Sequence, residues 1–291
     1  MTYIETLGAN AAAAKKSLIS ADTEKKNAAL QKIAEALLAH SSEIIEANAA
    51  DLKAARENGM SVSMQDRLML NEDRIKGISD AVSELIKLED PIGRVDNGSV
   101  RPNGLRITKV RVPMGVIGMI YESRPNVTAD AATLCLKTGN AVILRGGKEA
   151  YNSNKCICNI MRDAVEEAGF PKDIIQFVDD TTREVTTELM KCNKYLDLLI
   201  PRGGAGLIRA VTRNATVPVI ETGTGNCHIY IDKSADIEMG VNITDNGKTQ
   251  RPSVCNALET LLVHKDIAEK FLPAVKAKLD EHNVELRGCP E

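Results

Sequence analysis

From residue 116 onward, short apolar runs alternate with helix-like stretches, and this alternation constrains the fold more than any other feature of the sequence. The runs occupy residues 116–120, 141–144, 174–178, 196–200, 217–220, 229–231 and 261–263. None approaches the roughly 20 apolar residues that a membrane-spanning helix needs. Strands that are connected through helices lie parallel in a sheet, so the pattern predicts an open α/β sheet built from βα units.

Residues 1–90 follow a helical period instead. Apolar side chains recur with the i, i+3, i+4, i+7, i+8 spacing of a buried helix face, at Leu30, Ile33, Ala34, Leu37 and Leu38. A helix stop at Asn58-Gly59 and a last apolar stripe that ends before Pro91 complete the pattern. We interpret this region as a helical scaffold that precedes the sheet.

Between these two regions, turn signals predict a β-hairpin. Asn97-Gly98 and Asn103-Gly104 are typical of tight turns, and residues 105–112 alternate apolar with polar or basic side chains. The pattern indicates a half-exposed hairpin arm near residues 97–112. Unpaired backbone groups along such an edge favour association with another strand.

Composition excludes several classes of function. The chain has 291 residues, 43% of them hydrophobic, which is enough for a substantial core. A formal net charge of −3 leaves no basic excess for binding nucleic acid or an anionic membrane surface. Seven cysteines without a paired CxxC frame and four scattered histidines predict reduced thiols in a cytoplasmic protein without a metal site.

Two predicted strands end in glycine-rich turns that also carry basic residues. The turn residues are Arg145, Gly146, Gly147 and Lys148 after the run 141–144, and Gly203, Gly204 and Gly206 after the run 196–200. Glycines let backbone amides approach a phosphate closely. The second turn leads into a helix from about residue 207, and a helix N-terminus adds unpaired N–H groups and a positive dipole end.

Neither turn alone identifies a nucleotide site. Neither matches the GxGxxG or Walker pattern, and a tight surface loop with solvated basic residues remains the alternative. Two such turns at the ends of successive strands favour a nucleotide, because ligands of open α/β sheets bind at the carboxyl ends of the strands. Arg145 and Lys148 would suit an adenosine 2′-phosphate, since each can offer it charge-assisted hydrogen bonds.

Cys255 is the candidate nucleophile. It precedes the apolar run 261–263, and Lys248 and Arg251 lie close upstream. Positive charge near a thiol favours the thiolate, which is the form that attacks carbonyl carbon. A buried cysteine that acts only as a small hydrophobic residue remains the alternative.

Several segments together resemble the gamma-glutamyl phosphate reductases, the acyl-phosphate-reducing branch of the aldehyde dehydrogenase superfamily. They are residues 113–120 (PMGVIGMI), 121–128 (YESRPNVT), 137–140 (KTGN), 200–204 (IPRGG), 219–223 (VIETG) with 226–228 (NCH), and 250–255 (QRPSVC). The resemblance covers most of the chain. It implies an aldehyde-dehydrogenase-like α/β fold, with a helical N-terminal part and a Rossmann-type NADP-binding domain in residues 1–222. Residues 223–291 would then be the first part of an α/β catalytic domain.

The resemblance also assigns roles to individual residues. Cys255 resembles the catalytic thiol, Glu221 the general base and Asn126 an oxyanion donor. Arg145 and Lys148 resemble the contacts to the adenosine ribose, and the turn at Gly203 resembles the pyrophosphate loop. For Glu221, a carboxylate that orders the loop between the two domains remains the alternative.

Four further residues have the chemical character needed to meet a substrate that carries a carboxylate and a phosphate. They are Ser123, Arg124, Lys248 and Arg251. Ordinary surface ion pairs remain the alternative for each of them.

The reaction that the resemblance implies is the NADPH-dependent reduction of L-glutamate 5-phosphate to L-glutamate 5-semialdehyde, in proline biosynthesis. Cys255 would release phosphate by forming a thioester, which NADPH reduces to the aldehyde. Family chains continue well beyond residue 291, so we expect a truncated catalytic domain and a chain that is weakly active or inactive alone. A homo-oligomer when full length and functional coupling to glutamate 5-kinase are also implied.

Two other functions stay open. One is an NAD-dependent aldehyde dehydrogenase of another substrate, in which Glu221 activates water. The other is a non-catalytic nucleotide-binding fragment. The Arg-Pro-Asn segment at 124–126 and the basic residues before Cys255 argue against the ordinary aldehyde dehydrogenase.

Overall fold

The computed structural model describes residues 1–223 and 225–289. The chain divides into two units, Met1–Thr222 and Gly223–Glu291. Within the described ranges, the first unit contains a helical N-terminal region, an antiparallel hairpin and a four-stranded parallel sheet. The second contains a two-stranded parallel sheet and its helices. No helix of the described residues is long and apolar enough to cross a membrane.

The N-terminal region is helical, as the period of its apolar residues predicts. Its helices are Tyr3–Ile19 (α1), Thr23–Ala39 (α2), Ser41–Glu57 (α3), Val62–Leu68 (α4) and Glu72–Lys87 (α5). Four of them begin behind a side chain that accepts a hydrogen bond from a first-turn amide, at Thr2, Asp22, Ser61 and Asn71. The apolar stripe of α2 is buried, with Leu30 and Ile33 fully enclosed.

The strands Val95–Val100 (β1) and Arg106–Val110 (β2) pair antiparallel and form the hairpin. Ser99 lies opposite Ile107, and the amide of Gly104 donates to the Arg101 carbonyl in the turn. All residues of both strands are exposed. The expectation of a half-exposed arm is therefore wrong, because neither face of this two-stranded ribbon is covered by the core of its unit.

The residues from 116 onward form the predicted parallel sheet. Its strands are Val116–Tyr121 (β3), Ala141–Arg145 (β4), Ile175–Phe177 (β5) and Leu198–Arg202 (β6), in the order β5-β4-β3-β6. The run 217–220, predicted as a strand, makes only a bridge between Leu199 and Val219. Pro218 has no N–H to donate, so a regular ladder cannot continue through it.

A helix follows each strand of this sheet. These helices are Asn126–Lys137 (α6), Tyr151–Glu167 (α7), Arg183–Met190 (α8) and Ala205–Asn214 (α9). Successive side chains of a strand point to opposite faces, and nearly all side chains of β3 and β4 are buried. Both faces of the sheet are therefore covered, as parallel sheets require, and ligands can reach it only at its ends.

The second unit is built around the strands Cys227–Ile231 (β7) and Leu258–Val263 (β8), which pair in parallel. The helix Ile237–Thr249 (α10) connects them, and Lys265–Asp280 (α11) follows. Its main cluster of buried apolar residues consists of Ile231, Ile267, Phe271, Val275 and Leu279. The core thus lies where β7 and the inner face of α11 meet.

A buried carboxylate connects the helical scaffold to the sheet region. Asp51 of α3 is only 3% exposed and accepts hydrogen bonds from the backbone amides of Asn152 (3.2 Å) and Ser153 (2.8 Å), in the first turn of α7. The side chains of the same two residues also donate to Asp51, at 2.8 and 2.6 Å. No side chain at the N-cap of α7 makes a cap hydrogen bond, so a residue from another helix satisfies these first-turn amides.

Replacing Asp51 with alanine should lower the free energy of unfolding of the first unit by about 3 kcal/mol, because buried donors lose a charged acceptor. The change can be measured by urea denaturation followed by circular dichroism. Asp80→Ala is the matched control, since Asp80 pairs with Lys76 on the exposed face of α5, and it should cost less than about 1 kcal/mol. Equal effects of the two substitutions would contradict the role given to Asp51.

Candidate active site

The carboxyl ends of three strands bring both predicted cofactor turns to one edge of the sheet. In the sheet register, Ile120 of β3 pairs with Arg145 of β4, and Tyr121 of β3 pairs with Arg202 of β6. The turns after β4 and β6 therefore lie on either side of β3. The prediction that they follow successive strands of the sheet is wrong in this respect, because β3 separates them.

Glu122, the first residue after β3, occupies the helix N-terminus that was predicted to bind pyrophosphate. Its Oε2 atom accepts a hydrogen bond of 2.8 Å from the amide of Gly204, directly before α9. A Cβ atom on Gly203 would lie 2.5 Å from the same oxygen, so a side chain at this position would push the Glu122 carboxylate aside. The sequence analysis missed Glu122, although its position at the end of the central strand could have indicated it.

Ser123 holds a second carboxylate beside the first turn. Its amide and its Oγ donate to Glu149 Oε1 at 2.9 and 2.5 Å, and its φ of 27° is rare for a residue other than glycine. Burial alone would raise the pKa of Glu149, but the hydrogen bonds from Ser123 and the nearby Arg145 lower it. Ser123, expected to contact substrate, thus lies against the cofactor turn. Glu149 is the second residue that the sequence analysis missed.

Arg145 connects two loops rather than pointing freely into solvent. Its Nη1 atom donates to the carbonyl of Gly146 at 3.0 Å, and its Nη2 atom donates to the carbonyl of Thr181, after β5, at 2.7 Å. Its Nε atom is buried and has no hydrogen-bond partner. A phosphate contact by Arg145 would therefore compete with the bonds that order this edge of the sheet.

A surface pocket of about 670 Å³ opens beside the first turn. Lys148 is exposed at its rim. The lining comes from α3 and the residues just after it, from the loops after β3, β4 and β5, and from the first turn of α7, and it includes Asn58, Met60, Ser123, Tyr151 and Thr181. This volume lies in the usual range for small-molecule sites, and the lining combines an aromatic ring, amides and hydroxyls with the Lys148 ammonium group and the carboxylates of Asp51, Glu149 and Asp179. The ring, amides and hydroxyls suit a nucleoside, and Lys148 offers a cation to an anionic substituent on it.

Buried polar side chains support the turn from below. Tyr121 OH and Thr128 Oγ1 lie 2.6 Å apart, and Thr128 Oγ1 donates to Asn154 Oδ1 at 3.0 Å. Burial raises the pKa of Tyr121, so its hydroxyl stays protonated. A Cβ atom on Gly146 would collide with the Asn154 amide, which explains why the turn passes over this network with a glycine.

The other site residues predicted in the first unit lie in polar surroundings. Asn126 is the first residue of α6, and its Nδ2 atom donates to Asp130 Oδ2 at 2.9 Å. Burial raises the pKa of Asp130, and the bond from Asn126 opposes that rise. Arg124 is half-buried directly before α6, and Glu221 is exposed after the bridge at Val219.

Cys255 lies in the irregular segment between α10 and β8 and is exposed. This exposure contradicts the alternative of a buried hydrophobic cysteine. The Cys227 thiol donates to the Cys255 carbonyl across 3.7 Å. Lys248, predicted to contact substrate, donates from Nζ to the Leu258 carbonyl at 2.9 Å, whereas Arg251 is exposed in the same segment as Cys255.

The cysteines of the first unit lie in a different environment. Burial raises the pKa of Cys135 and of Cys158 to about 12, and it also raises the pKa of Cys156 and of Cys192. These thiols therefore stay protonated near neutral pH. Within the described ranges, no group of three or more His, Cys, Asp and Glu side chains is arranged to hold a metal ion.

The fold and these loops have counterparts among known proteins. The family model of the aldehyde dehydrogenase family matches residues 2–287. The chain therefore belongs to the aldehyde dehydrogenase family. This membership confirms the predicted fold class, and the fold implies a nicotinamide cofactor.

Individual relatives narrow the assignment. Gamma-glutamyl phosphate reductase of Clostridium perfringens (strain SM101 / Type A) is 59% identical over 282 residues, which cover 97% of this chain and 68% of that protein. The crystal structure of gamma-glutamyl phosphate reductase from Thermotoga maritima matches with a TM-score of 0.89 and 48% identity, over 99% of this chain and 70% of that one. The crystal structure of the Saccharomyces cerevisiae gamma-glutamyl phosphate reductase matches with a TM-score of 0.71 and 32% identity, over 98% of this chain and 71% of that one. Within its family the chain belongs with the gamma-glutamyl phosphate reductases, which confirms the resemblance seen in the sequence.

Replacing Glu122 with glutamine should tighten binding of a reduced nicotinamide dinucleotide by roughly three- to tenfold, or about 0.7 to 1.4 kcal/mol. A neutral amide competes less for the Gly204 N–H and does not repel a pyrophosphate. Titration followed by the fluorescence of the cofactor measures the change. Glu166→Gln, on the exposed side of α7, should leave the affinity unchanged. Weaker binding by Glu122→Gln would mean that the Glu122 carboxylate itself contacts the cofactor.

Proposed function

We propose that this chain carries the reaction of the gamma-glutamyl phosphate reductases: reduction of L-glutamate 5-phosphate to L-glutamate 5-semialdehyde in proline biosynthesis. One observation carries the proposal: Cys255 is exposed in this chain, which is 59% identical to a gamma-glutamyl phosphate reductase. An acyl phosphate presents an electrophilic carbonyl and a good leaving group, which suits a thiol nucleophile.

NADPH is the proposed cofactor, and the residues present fit it. Glu122 already places a carboxylate on the Gly204 amide, so this turn accepts an anion of about the charge of a phosphate oxygen. The exposed Lys148 at the rim of the neighbouring pocket is the proposed partner of the 2′-phosphate. Arg145 is the second proposed contact, although its Nη atoms also bind loop carbonyls.

The proposed chemistry begins at Cys255. Its thiolate attacks the acyl carbon, the bond from carbon to the phosphate oxygen breaks, and a thioester forms on the sulfur as phosphate leaves. When bound, NADPH would supply a hydride to the thioester carbonyl carbon, and breaking of the C–S bond then releases the aldehyde and returns the Cys255 thiolate. Asn126 is proposed to donate its amide to the oxyanion, a contribution that is worth about 2.7 to 4 kcal/mol per donor in other enzymes.

Basic side chains are proposed to bind the substrate. Arg251 and Lys248 lie in or next to the segment of Cys255 and would meet the leaving phosphate. Ser123 and Arg124 are proposed to reach the substrate carboxylate from the loop after β3. Glu221 has a smaller role in this direction, because no water attacks the thioester.

Phosphate-dependent reduction of NADP⁺ by glutamate 5-semialdehyde tests the proposal, with the protein present at a concentration near that of the cofactor so that slow turnover is visible. An ordinary aldehyde dehydrogenase would oxidise aldehydes without phosphate, and a non-catalytic nucleotide-binding fragment would bind cofactor without turnover. Aldehyde oxidation without phosphate would contradict the proposed reaction, and so would absence of turnover in a protein of the relatives' full length. A homo-oligomer, coupling to glutamate 5-kinase and a cytoplasmic location are proposed with it.

Lys148→Ala should weaken binding of NADPH and leave binding of NADH nearly unchanged. One charge-assisted hydrogen bond is worth roughly 1.5 to 3 kcal/mol, so the preference for NADPH should fall about ten- to a hundredfold. Calorimetric titration with both cofactors measures it, with Lys76→Ala on the exposed side of α5 as the control. An equal loss for the two cofactors would show that Lys148 does not bind the 2′-phosphate.

In a protein of the relatives' full length, Cys255→Ser should abolish reduction while leaving NADPH binding intact, because a hydroxyl is not ionised near neutral pH and is a poor nucleophile. Rapid alkylation mapped by mass spectrometry should modify Cys255 well before the cysteines of the first unit. Cys156→Ser is the matched control and should lose stability at most. Near-normal activity of Cys255→Ser would remove the thioester from the mechanism.

A further inference from the structure

Cys227 lies beside Cys255 in the second unit, and neither the thioester chemistry nor the core uses its thiol. It is the first residue of β7, half-buried, and its Sγ atom lies 3.7 Å from the Cys255 carbonyl oxygen. Because the Cα–C and C=O bonds measure about 1.5 and 1.2 Å, the Cα atom of Cys255 lies within about 6.5 Å of this sulfur. In a disulfide the Cα atoms lie roughly 4.4 to 6.8 Å apart, so a bond between these residues requires the Cys255 side chain to turn toward the Cys227 sulfur that already contacts its backbone.

The two cysteines differ in backbone freedom. Cys227 is held in the parallel ladder opposite Leu258, where the register shifts before His228 pairs with Thr260. Such an irregularity re-aims a side chain out of the regular alternation. Cys255 lies in turns between the end of α10 and the start of β8. The loop that carries Cys255 can therefore bring its sulfur to Cys227 without breaking the sheet.

We propose that Cys227 is the resolving thiol for oxidised Cys255, and that a reversible Cys227–Cys255 disulfide protects the nucleophile from peroxide. The proposal rests on the proposed function only for the identity of Cys255 as a reactive thiolate. The exposed Cys255 is open to small oxidants, whereas Cys135 and Cys158 are buried. A low-barrier route to a disulfide competes with irreversible over-oxidation.

The chemistry has two steps. The Cys255 thiolate attacks a hydroperoxide, an S–O bond forms as the O–O bond breaks, and the peroxide is reduced to an alcohol or water while Cys255 becomes a sulfenic acid. The Cys227 thiolate then attacks the sulfenic sulfur. An S–S bond forms, the S–O bond breaks, and hydroxide leaves and takes up a proton as water. A dithiol restores both thiols by exchange.

The test treats the purified chain with an equimolar amount of hydrogen peroxide, blocks the remaining thiols with N-ethylmaleimide and digests it with trypsin without reduction. Cleavage after Arg213, Lys233, Lys248 and Lys265 places Cys227 in peptide 214–233 and Cys255 in peptide 249–265, each with a single cysteine. We expect these two peptides linked, with a mass two hydrogens below their sum, and released by dithiothreitol. Absence of the linked pair, or equal linkage of Cys255 to Cys289, would overturn the proposal.

Cys227→Ser should leave Cys255 without its resolving partner. After an excess of peroxide, since each sulfinic acid consumes two molecules of it, and then dithiothreitol, recovery of a labelled Cys255 thiol should fall at least fivefold relative to wild type, with sulfinic acid at Cys255 instead. Cys156→Ser is the control and should recover as wild type does. If Cys227→Ser unfolds, as judged by circular dichroism, Cys227→Ala gives the same readout with an apolar side chain. Recovery of the Cys255 thiol to the wild-type level in a folded Cys227 variant would contradict the proposal.

Mass measurement separates this proposal from the proposed function, because the linked peptide is scored without turnover. A disulfide in a chain that reduces no NADP⁺ would support the redox role and contradict the reductase. Phosphate-dependent turnover without any linked peptide would support the reductase and contradict the redox role.

Discussion

Hydrogen bonding of β3 to a parallel strand on each side is the constraint on which the candidate site depends. β3 pairs with β4 through residues 116–120 and with β6 through residues 117–121, so that all three strands end at the same edge. The strands are buried on both faces, which leaves this edge as the accessible surface of the sheet. The loop after β3 therefore meets the turns on both sides of it, and the carboxylates of Glu122 and Glu149 each accept from a backbone amide of a neighbouring loop.

Two carboxylates of the protein itself accept hydrogen bonds from the donors at this edge. Glu122 binds the amide ahead of α9, and Glu149 binds the amide and hydroxyl of Ser123. Donors that hold a carboxylate are already oriented for an anion, which lowers the entropy that a phosphate must lose on binding. The same carboxylates repel a phosphate, so affinity depends on whether Glu122 can be displaced and whether Lys148 offsets Glu149. Asp51 contributes indirectly, since it holds the start of α7 just after this turn.

The cysteines differ in burial, and this difference separates those that pack in the core from the one that is open to reactants. Cys135 and Cys158 are enclosed by apolar side chains, and their raised pKa values keep them protonated. Cys255 is exposed in an irregular segment. Such a position leaves the proposed nucleophile open both to substrate and to oxidants. A second thiol within reach is then a chemical safeguard rather than part of the core.

The sequence by itself determined the helical scaffold, the parallel sheet and the family, because the spacing of apolar residues and the quoted motifs are local properties. It located both glycine-rich turns and singled out Cys255, since glycines after a strand and cations near a cysteine can be read along the chain. Tertiary structure alone decided that β3 separates the two turns, that Pro218 reduces a predicted strand to a bridge, and that Arg145 binds the Thr181 carbonyl. It also decided that Glu122 and Glu149 occupy the anion-binding groups. Strand order and the partners of a charged side chain depend on contacts between residues far apart in the chain, and those contacts form only when the sheet is assembled.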